Sequence, residues 1–565
     1  MGTEDKRNFI IFGVLSVLIF LGWSHFFPAP TPTQAPVQKT AEVQLAPSDA
    51  SRPVTLVSRG EALQTSARIP IDAPFIKGSI PLTGDRIDDV VLTQYRLSPN
   101  KDSPFVTLLS PEQTAHATYA QMGWVASSKS VRVPDEKTQW QTTATKLTSE
   151  TPITLTWDNG QGLVFERTIA VDKDYLISVT QKVTNNTNAP VHVAPYGQIS
   201  RQDTPKTDDL FILHEGPVGY MNSSLIEYKY DKLKDKKIVT ENTTGGWMGI
   251  TDKYWLTALI PDQKHALKAH YRYLELGGRP SYQTDYMEDL GVLESGKSLT
   301  TTAHLFAGAK VLSLLDSYED KLGVPHFDKA VDFGWFYLIT KPTFYFLTFA
   351  YDYLGNFGVA ILFLTLLLKL AFLPIANKQY RSMARMKDLQ PKVKKLQERY
   401  ADDKMRLNQE MMELYKREKV NPVSGCLPML VQIPVFFALY KVIYISIEMR
   451  QAPFFGWIHD LSIPDPTTVF NLFGLIPWTP PTFLMLGAWP LIMGLTMWAQ
   501  QKLNPAPTDP AQAKVFLIMP IMFTYICASF PAGLVIYWTW SNLLTIAQQA
   551  FIMSRATKLP HANKA

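Results

Sequence analysis

Six apolar runs punctuate the chain: Phe9–Phe27, Gly355–Ile375, Cys426–Ile447, Phe483–Ala499, Val515–Phe530 and Leu534–Phe551. A helix needs about 20 such residues to cross a ~30 Å hydrocarbon core. The pattern therefore predicts six membrane spans, the fourth and fifth of them short. Between the first two runs the spacing changes. Ile153-Thr154-Leu155-Thr156-Trp157 alternates, Asp158-Asn159-Gly160 reads as a turn, and Val164–Val171 and Leu176–Val183 alternate again before Asn185-Asn186. Period-two alternation punctuated by Asn, Asp and Gly predicts antiparallel strands. Many strands without helices between them predict a large β-sandwich, with helical character returning near Val311–Leu322.

Two stretches fit neither pattern. Phe333–Tyr353 is aromatic but contains Lys341, Pro342 and Asp352; it reads as an amphipathic helix lying at the membrane surface. Gln379–Tyr400 and Lys404–Lys419 show helical spacing around a break at Ala401-Asp402-Asp403, which predicts a helical hairpin capped by Asp402 or Asp403 and bent locally at Pro391. The expected organisation is then an anchor at 1–27, a linker at 28–55, the sandwich at 56–330 and the surface helix at 331–354. A second span at 355–377, the hairpin at 378–425 and a third span at 426–447 follow. An outer loop at 448–482 leads to spans at 483–499, 515–530 and 534–553, with an inner loop at 500–514 and a tail from 554. The first run could be a cleaved signal, but the bulky Ser24-His25-Phe26-Phe27-Pro28 favours a retained anchor. Six prolines between Pro28 and Pro53 predict a semi-extended tether. The sandwich should accordingly be separable from whatever the helices do.

Charge orients these elements. The net charge is +5, yet residues 378–419 hold 13 Lys/Arg against 7 Asp/Glu, so the rest of the chain is nearly balanced. Short basic loops stay in the cytoplasm, which places the hairpin and both termini inside and the sandwich outside. The mean hydropathy of −0.04 averages over these two unlike halves and classifies neither. Two cysteines, Cys426 and Cys527, exclude a disulfide framework. Seven histidines between His116 and His326 show no ligand or triad spacing, so neither a metal nor a catalytic site is expected.

Lys369 is the most informative residue. It stands in an otherwise apolar run, where a charge costs about 2.5–3.5 kcal/mol on insertion scales. One reading is a wet pocket; the other is a lysine snorkelling toward Lys378. Thr365 shares its helical face. Gln432 lies in the third run, and Trp538, Ser541, Thr545 and Gln548 form a polar stripe on the sixth, although such stripes also bind helices together. No Asp or Glu lies inside the five C-terminal runs. On the hairpin, Arg385, Lys392, Lys394 and Lys395 suit anionic lipid or RNA, or simply set topology. Met383, Met386, Met411 and Met412 could form an adaptable apolar surface or a plain hairpin core.

Asn421-Pro422-Val423-Ser424-Gly425-Cys426-Leu427-Pro428, Gln432-Ile433-Pro434-Val435-Phe436, Arg450-Gln451-Ala452-Pro453-Phe454, Trp457-Ile458-His459-Asp460-Leu461 and Phe530-Pro531-Ala532-Gly533-Leu534-Val535-Ile536-Tyr537-Trp538 with Ser541-Asn542-Leu543 resemble the YidC insertase family of Gram-negative bacteria. The resemblance implies a polytopic inner-membrane protein with a five-helix core, a groove open to cytoplasm and lipid, and a periplasmic sandwich. It implies no enzyme activity and no cofactor. Its clients are nascent inner-membrane proteins, received alone or with the Sec translocon; ribosome or signal-recognition contacts fall to the cytoplasmic loops, and no nucleic-acid sequence is read. Lys369 matches a groove position that is usually Arg, Thr365 a groove threonine, and Tyr537-Trp538 an aromatic pair usually ending in Tyr. The short tail lacks the basic extension of some relatives. Two other classes compete. A secondary transporter would need inverted repeats and a titrating acid in the bilayer. A membrane-anchored carbohydrate-binding or mutarotase-like protein would not need Lys369 or the stripe.

Overall fold

The computed structural model describes residues 55–207, 213–289, 291–400, 403–418, 427–478, 480–481, 484–504 and 510–556. The first apolar run, the linker to residue 54, Ala401-Asp402, the segment 419–426 with Cys426, and the tail beyond 556 lie outside them.

Local chemistry at the turns builds the β region. Asn159 Oδ1 accepts from the N–H groups of Gln161 (2.7 Å) and Leu163 (3.0 Å). Gly160 takes φ +70° and Gly162 φ +90°, a region glycine enters without a Cβ penalty. Strand Ile153–Asp158 thereby folds back on Leu163–Val171, with Trp157 opposite Phe165. Along the second strand Leu163, Phe165, Ile169 and Val171 all point into the core. Arg167 shares that inward row. Its guanidinium donates to the Met122 carbonyl and lies 4.8 Å from the Trp140 ring centroid. Burial lowers its pKa, opposed by the charge of Asp85.

The strands assemble into two large sheets and a small one. One runs Ser224–Glu227, Gly216–Met221, Trp247–Thr251, Trp255–Ile260, Ser298–Ala309, Leu176–Asn185, Leu163–Val171, Ile153–Asp158. The other runs Ile238–Thr244, Ala266–Leu276, Arg279–Glu288, Val191–Gln202, Thr118–Ala126, Arg86–Ile87, with Gly291–Leu293 joined to Val191–Gln202. Every ladder between these strands is antiparallel, as the alternation predicts. Both sheets contribute to one continuous apolar core.

Helices follow the sheets. They are α1 (Leu312–Leu322), α2 (Tyr337–Leu354), α3 (Phe357–Ala371), α4 (Leu373–Arg399), α5 (Lys404–Arg417), α6 (Leu427–Ile445), α7 (Ala488–Leu503), α8 (Pro510–Cys527) and α9 (Ala532–Ala556). Between α2 and α3, Gly355 adopts φ +66° and Asn356 Oδ1 accepts from Val359 N–H at 3.1 Å. This glycine stop and asparagine cap turn the chain through 119°. By length and composition, no single described helix suffices to cross a bilayer; the bent pair α2–α3 passes that test together.

Helix bounds depart from the hydropathy pattern. The second apolar run stops being helix at Phe372, because Leu373-Pro374 opens α4: Pro occupies its first turn, where its missing N–H costs nothing. Lys369 therefore stands in the last turn of α3, not midway along a continuous rod. The fourth run starts late, at Ala488. Asp465 Oδ2 accepts from Trp489 N–H (2.9 Å) and Thr467 Oγ1 from Ala488 N–H (3.0 Å), so the outer loop caps this helix. Helix α4 continues through Pro391 without interruption.

The sandwich is also fastened to the helices, which the tether and alternation do not announce. Lys341 on α2 reaches Asp328 (2.6 Å) and Asp316 (3.1 Å). Arg450 Nη2 donates to the Arg96 carbonyl at 2.6 Å, and the Tyr254 hydroxyl donates to Ser462 Oγ at 3.3 Å.

Candidate functional site

Helix α9 brings the polar stripe onto α3. Lys369 Nζ donates to Thr545 Oγ1 at 2.9 Å, and Gln548 Nε2 donates to the Lys369 main-chain carbonyl at 3.3 Å. That carbonyl belongs to the last turn of α3, where the helix has no partner of its own to offer; the ammonium lies at the negative end of the helix dipole. Thr545 Oγ1 in turn donates to the Ser541 carbonyl at 2.7 Å. Among the described residues no carboxylate stands within ion-pair distance of Lys369. Its partner is a neutral hydroxyl.

Other predicted residues line up along the same helix. Gln432 on α6 donates to the Tyr537 hydroxyl, eight residues or about 12 Å along α9 from Thr545. Trp538 packs between Phe436 (5.1 Å between centroids) and Phe523 (5.6 Å), so its ring joins helices more than it lines open space. Thr365 is buried, and its hydroxyl donates to the Ile361 carbonyl of its own helix at 2.6 Å. Ser541 is buried as well.

On the hairpin, Arg385, Lys394 and Lys395 are exposed, and Lys392 pairs with Glu418 at 2.7 Å. Met386 is half-buried. Met383 is buried against Tyr380 and Ile552, where the apolar stripe of α4 packs on α9. Met405 and Met412, on α5, are the exposed methionines of the described hairpin.

The sequence reading singles out Lys369 and passes over Lys441, although an ammonium in an apolar run marks both. Lys441 is held differently. Its Nζ lies 3.0 Å from Asp332 Oδ1 and donates to the Asp332 carbonyl at 2.9 Å. Gly334, at φ +63°, leaves the room: a Cβ there would meet Lys441 Cε at 3.1 Å. Two further polar contacts were equally unannounced. Asn542 Nδ2 donates to Thr496 Oγ1 and Gln549 Nε2 to Asn504 Oδ1, each at 3.1 Å, and both tie α9 to α7 in the manner of buried interhelical hydrogen bonds.

A sheet-rich domain followed by this helical set is matched by two family models, the YidC periplasmic domain over residues 68–346 and the 60Kd inner membrane protein over 349–559. The membrane protein insertase YidC of Nitrobacter hamburgensis is 48% identical, the match covering 98% of this chain and 95% of the relative. The chain belongs to the YidC insertase family. The YidC of Bradyrhizobium diazoefficiens is 47% identical with 98% of this chain covered and 96% of the relative. A crystal structure of active YidC insertase with its first transmembrane domain resolved is 16% identical, covers 88% of this chain and 93% of its own, and superposes with a TM-score of 0.36. As a YidC-family member the chain is an inner-membrane protein with a periplasmic domain, and Lys369, Thr545 and Gln548 meet inside the part matched by the inner-membrane model.

Proposed function

We propose that this chain is a membrane protein insertase in which Lys369, with Thr545 and Gln548 beside it, receives polar segments of nascent inner-membrane proteins while their apolar segments pass into lipid. The observation behind this reading is the Lys369–Thr545 contact: an ammonium among apolar helices whose hydrogen-bond partner carries no charge. A positive group so placed attracts acidic or polar peptide and needs neither nucleotide nor cofactor. Exposed apolar side chains on the neighbouring helices, such as Leu517 and Ile521 on α8 at 65% and 73%, suit a lipid environment better than water.

On this reading the membrane part comprises six spans with both termini and the basic hairpin in the cytoplasm. The sandwich is periplasmic, and α2 lies along the outer surface. Polar client segments enter from the hairpin side, with Arg385, Lys394 and Lys395 available to anionic lipid or to the ribosome, and insertion proceeds alone or with the Sec translocon. A photoreactive residue at Leu366, exposed one turn before Leu370, should crosslink a stalled nascent chain. Crosslinking to lipid alone would overturn the groove. Cysteine labelling from outside should reach a residue placed at Asn159 and miss one at Lys395; the reverse would overturn the topology.

A further inference from the structure

We propose that Glu319, His326 and Asp328 form a binding site for a first-row divalent cation of the Zn2+ class, at the seam between the sandwich and α2. One ligand atom from each lies within 4.8 Å of the others. Zinc bonds of about 2.0–2.1 Å would bring tetrahedral donors to about 3.3 Å, so the two more accessible side chains, Glu319 and His326, need only rotate inward by about an ångström.

The second observation is the state of Asp328. The residue is 2% exposed, and its two oxygens are treated unequally. Oδ2 accepts from Lys341 Nζ (2.6 Å) and from the Tyr337 hydroxyl (2.5 Å). Oδ1 is buried with no hydrogen-bond partner. A buried carboxylate oxygen left unsatisfied is costly, and a bound cation would satisfy it. Lys341 and Tyr337 then act as the outer contacts that orient a metal-binding carboxylate.

The backbone presents the other two ligands. Gly323 ends α1 in the left-handed region at φ +64°, and His326 itself sits at φ +51°. The chain between them doubles back so that the imidazole returns toward the last turns of α1, where Glu319 stands. Tyr220 meets the His326 ring edge-on at 4.8 Å, with Lys329 Nζ 4.7 Å from the Tyr220 ring centroid. Charge favours a cation even with these lysines present: Glu319, Asp328 and Asp316 outnumber Lys341 and Lys329. An imidazole nitrogen in the set favours zinc or a neighbouring transition metal over Mg2+ or Ca2+, which take oxygen donors. The spacing, i, i+7 and i+9 across a helix end, matches no linear motif.

Isothermal titration of Zn2+ into the chelator-treated, untagged full-length protein in detergent tests this directly. One equivalent should bind in the presence of millimolar Mg2+, and Co2+ in its place should give visible d–d absorption. Glu319→Gln and His326→Asn should each weaken binding at least about tenfold. Asn is chosen because it tolerates the left-handed backbone, and Glu319 lies on a helix surface, so both variants should keep the wild-type thermal midpoint without metal. Absence of stoichiometric zinc binding would overturn the proposal. So would zinc binding that neither substitution weakens, since the ion would then sit elsewhere.

Discussion

Lys441 and Lys369 stand in apolar helices of one bundle, and the two ends of that bundle treat them in opposite ways. Near the sandwich, Lys441 is held by Asp332, whose other oxygen accepts from His214 N–H at 2.9 Å. Lys310 lies close by, buried, donating to Thr251 Oγ1 at 3.0 Å. On α3, Lys369 meets a hydroxyl and, among the described residues, no acid. A charge paired inside a dry seam is a structural component, since removing one partner strands the other. A charge left unpaired is available to something that arrives. Hydropathy scores the two residues alike; the neighbour assigns the role.

The largest expected effect is therefore on stability, at Lys441. Lys441→Met should destabilise by about 3 kcal/mol, seen as a lowered thermal midpoint and a reduced folded yield. Lys441→Met combined with Asp332→Asn should recover part of the loss, because the stranded carboxylate is gone. If the double variant were no better than the single one, the pair would not be the cause.

Next in size is an acid response confined to the same seam. Burial pushes the His214 imidazole down to about 4 from its usual 6.5. The unfolded chain then binds more protons between those values, so stability falls as pH drops through that window, by up to about 3 kcal/mol. His214→Gln should flatten the dependence of the thermal midpoint on pH between 6.5 and 4. An unchanged slope would show that other groups govern it.

Groove substitutions should spare the fold and cost function. Lys369→Arg should retain insertion, while Lys369→Glu and Lys369→Leu should reduce it about tenfold, near 1.4 kcal/mol, most for clients with acidic translocated segments. Complementation of a depleted strain, with membrane abundance measured, separates this from instability. Full activity of both the Glu and Leu variants would reduce Lys369 to a helix-end contact and remove the contrast with Lys441.

The smallest effect belongs to the hairpin. Lys395→Gln removes an exposed charge from α4 and should weaken binding to anionic vesicles by about 1 kcal/mol. Stability should stay within about 0.5 kcal/mol of wild type, seen as a nearly unchanged thermal midpoint. A large stability loss would mean that Lys395 has a structural partner.

Much of this molecule was fixed by short-range pattern. Alternation at Ile153–Trp157 and Val164–Val171 specified strands because side chains on a pleated strand reverse face at every residue. The stripe Trp538, Ser541, Thr545 and Gln548 specified one helical face for a similar reason. The family itself was readable from its local motifs. Decisions needing two distant segments were not legible. Asp332 and Lys441 are 109 positions apart, and Lys369 and Thr545 are 176 apart. Met383 turned inward because Ile552 covers it, and Asp328 kept a free oxygen because Tyr337 and Lys341 took the other. Periodicity reports which face a residue occupies, but the partner that meets the face is set by chain closure and packing, and that partner decides whether a buried charge is structural or exposed to a guest.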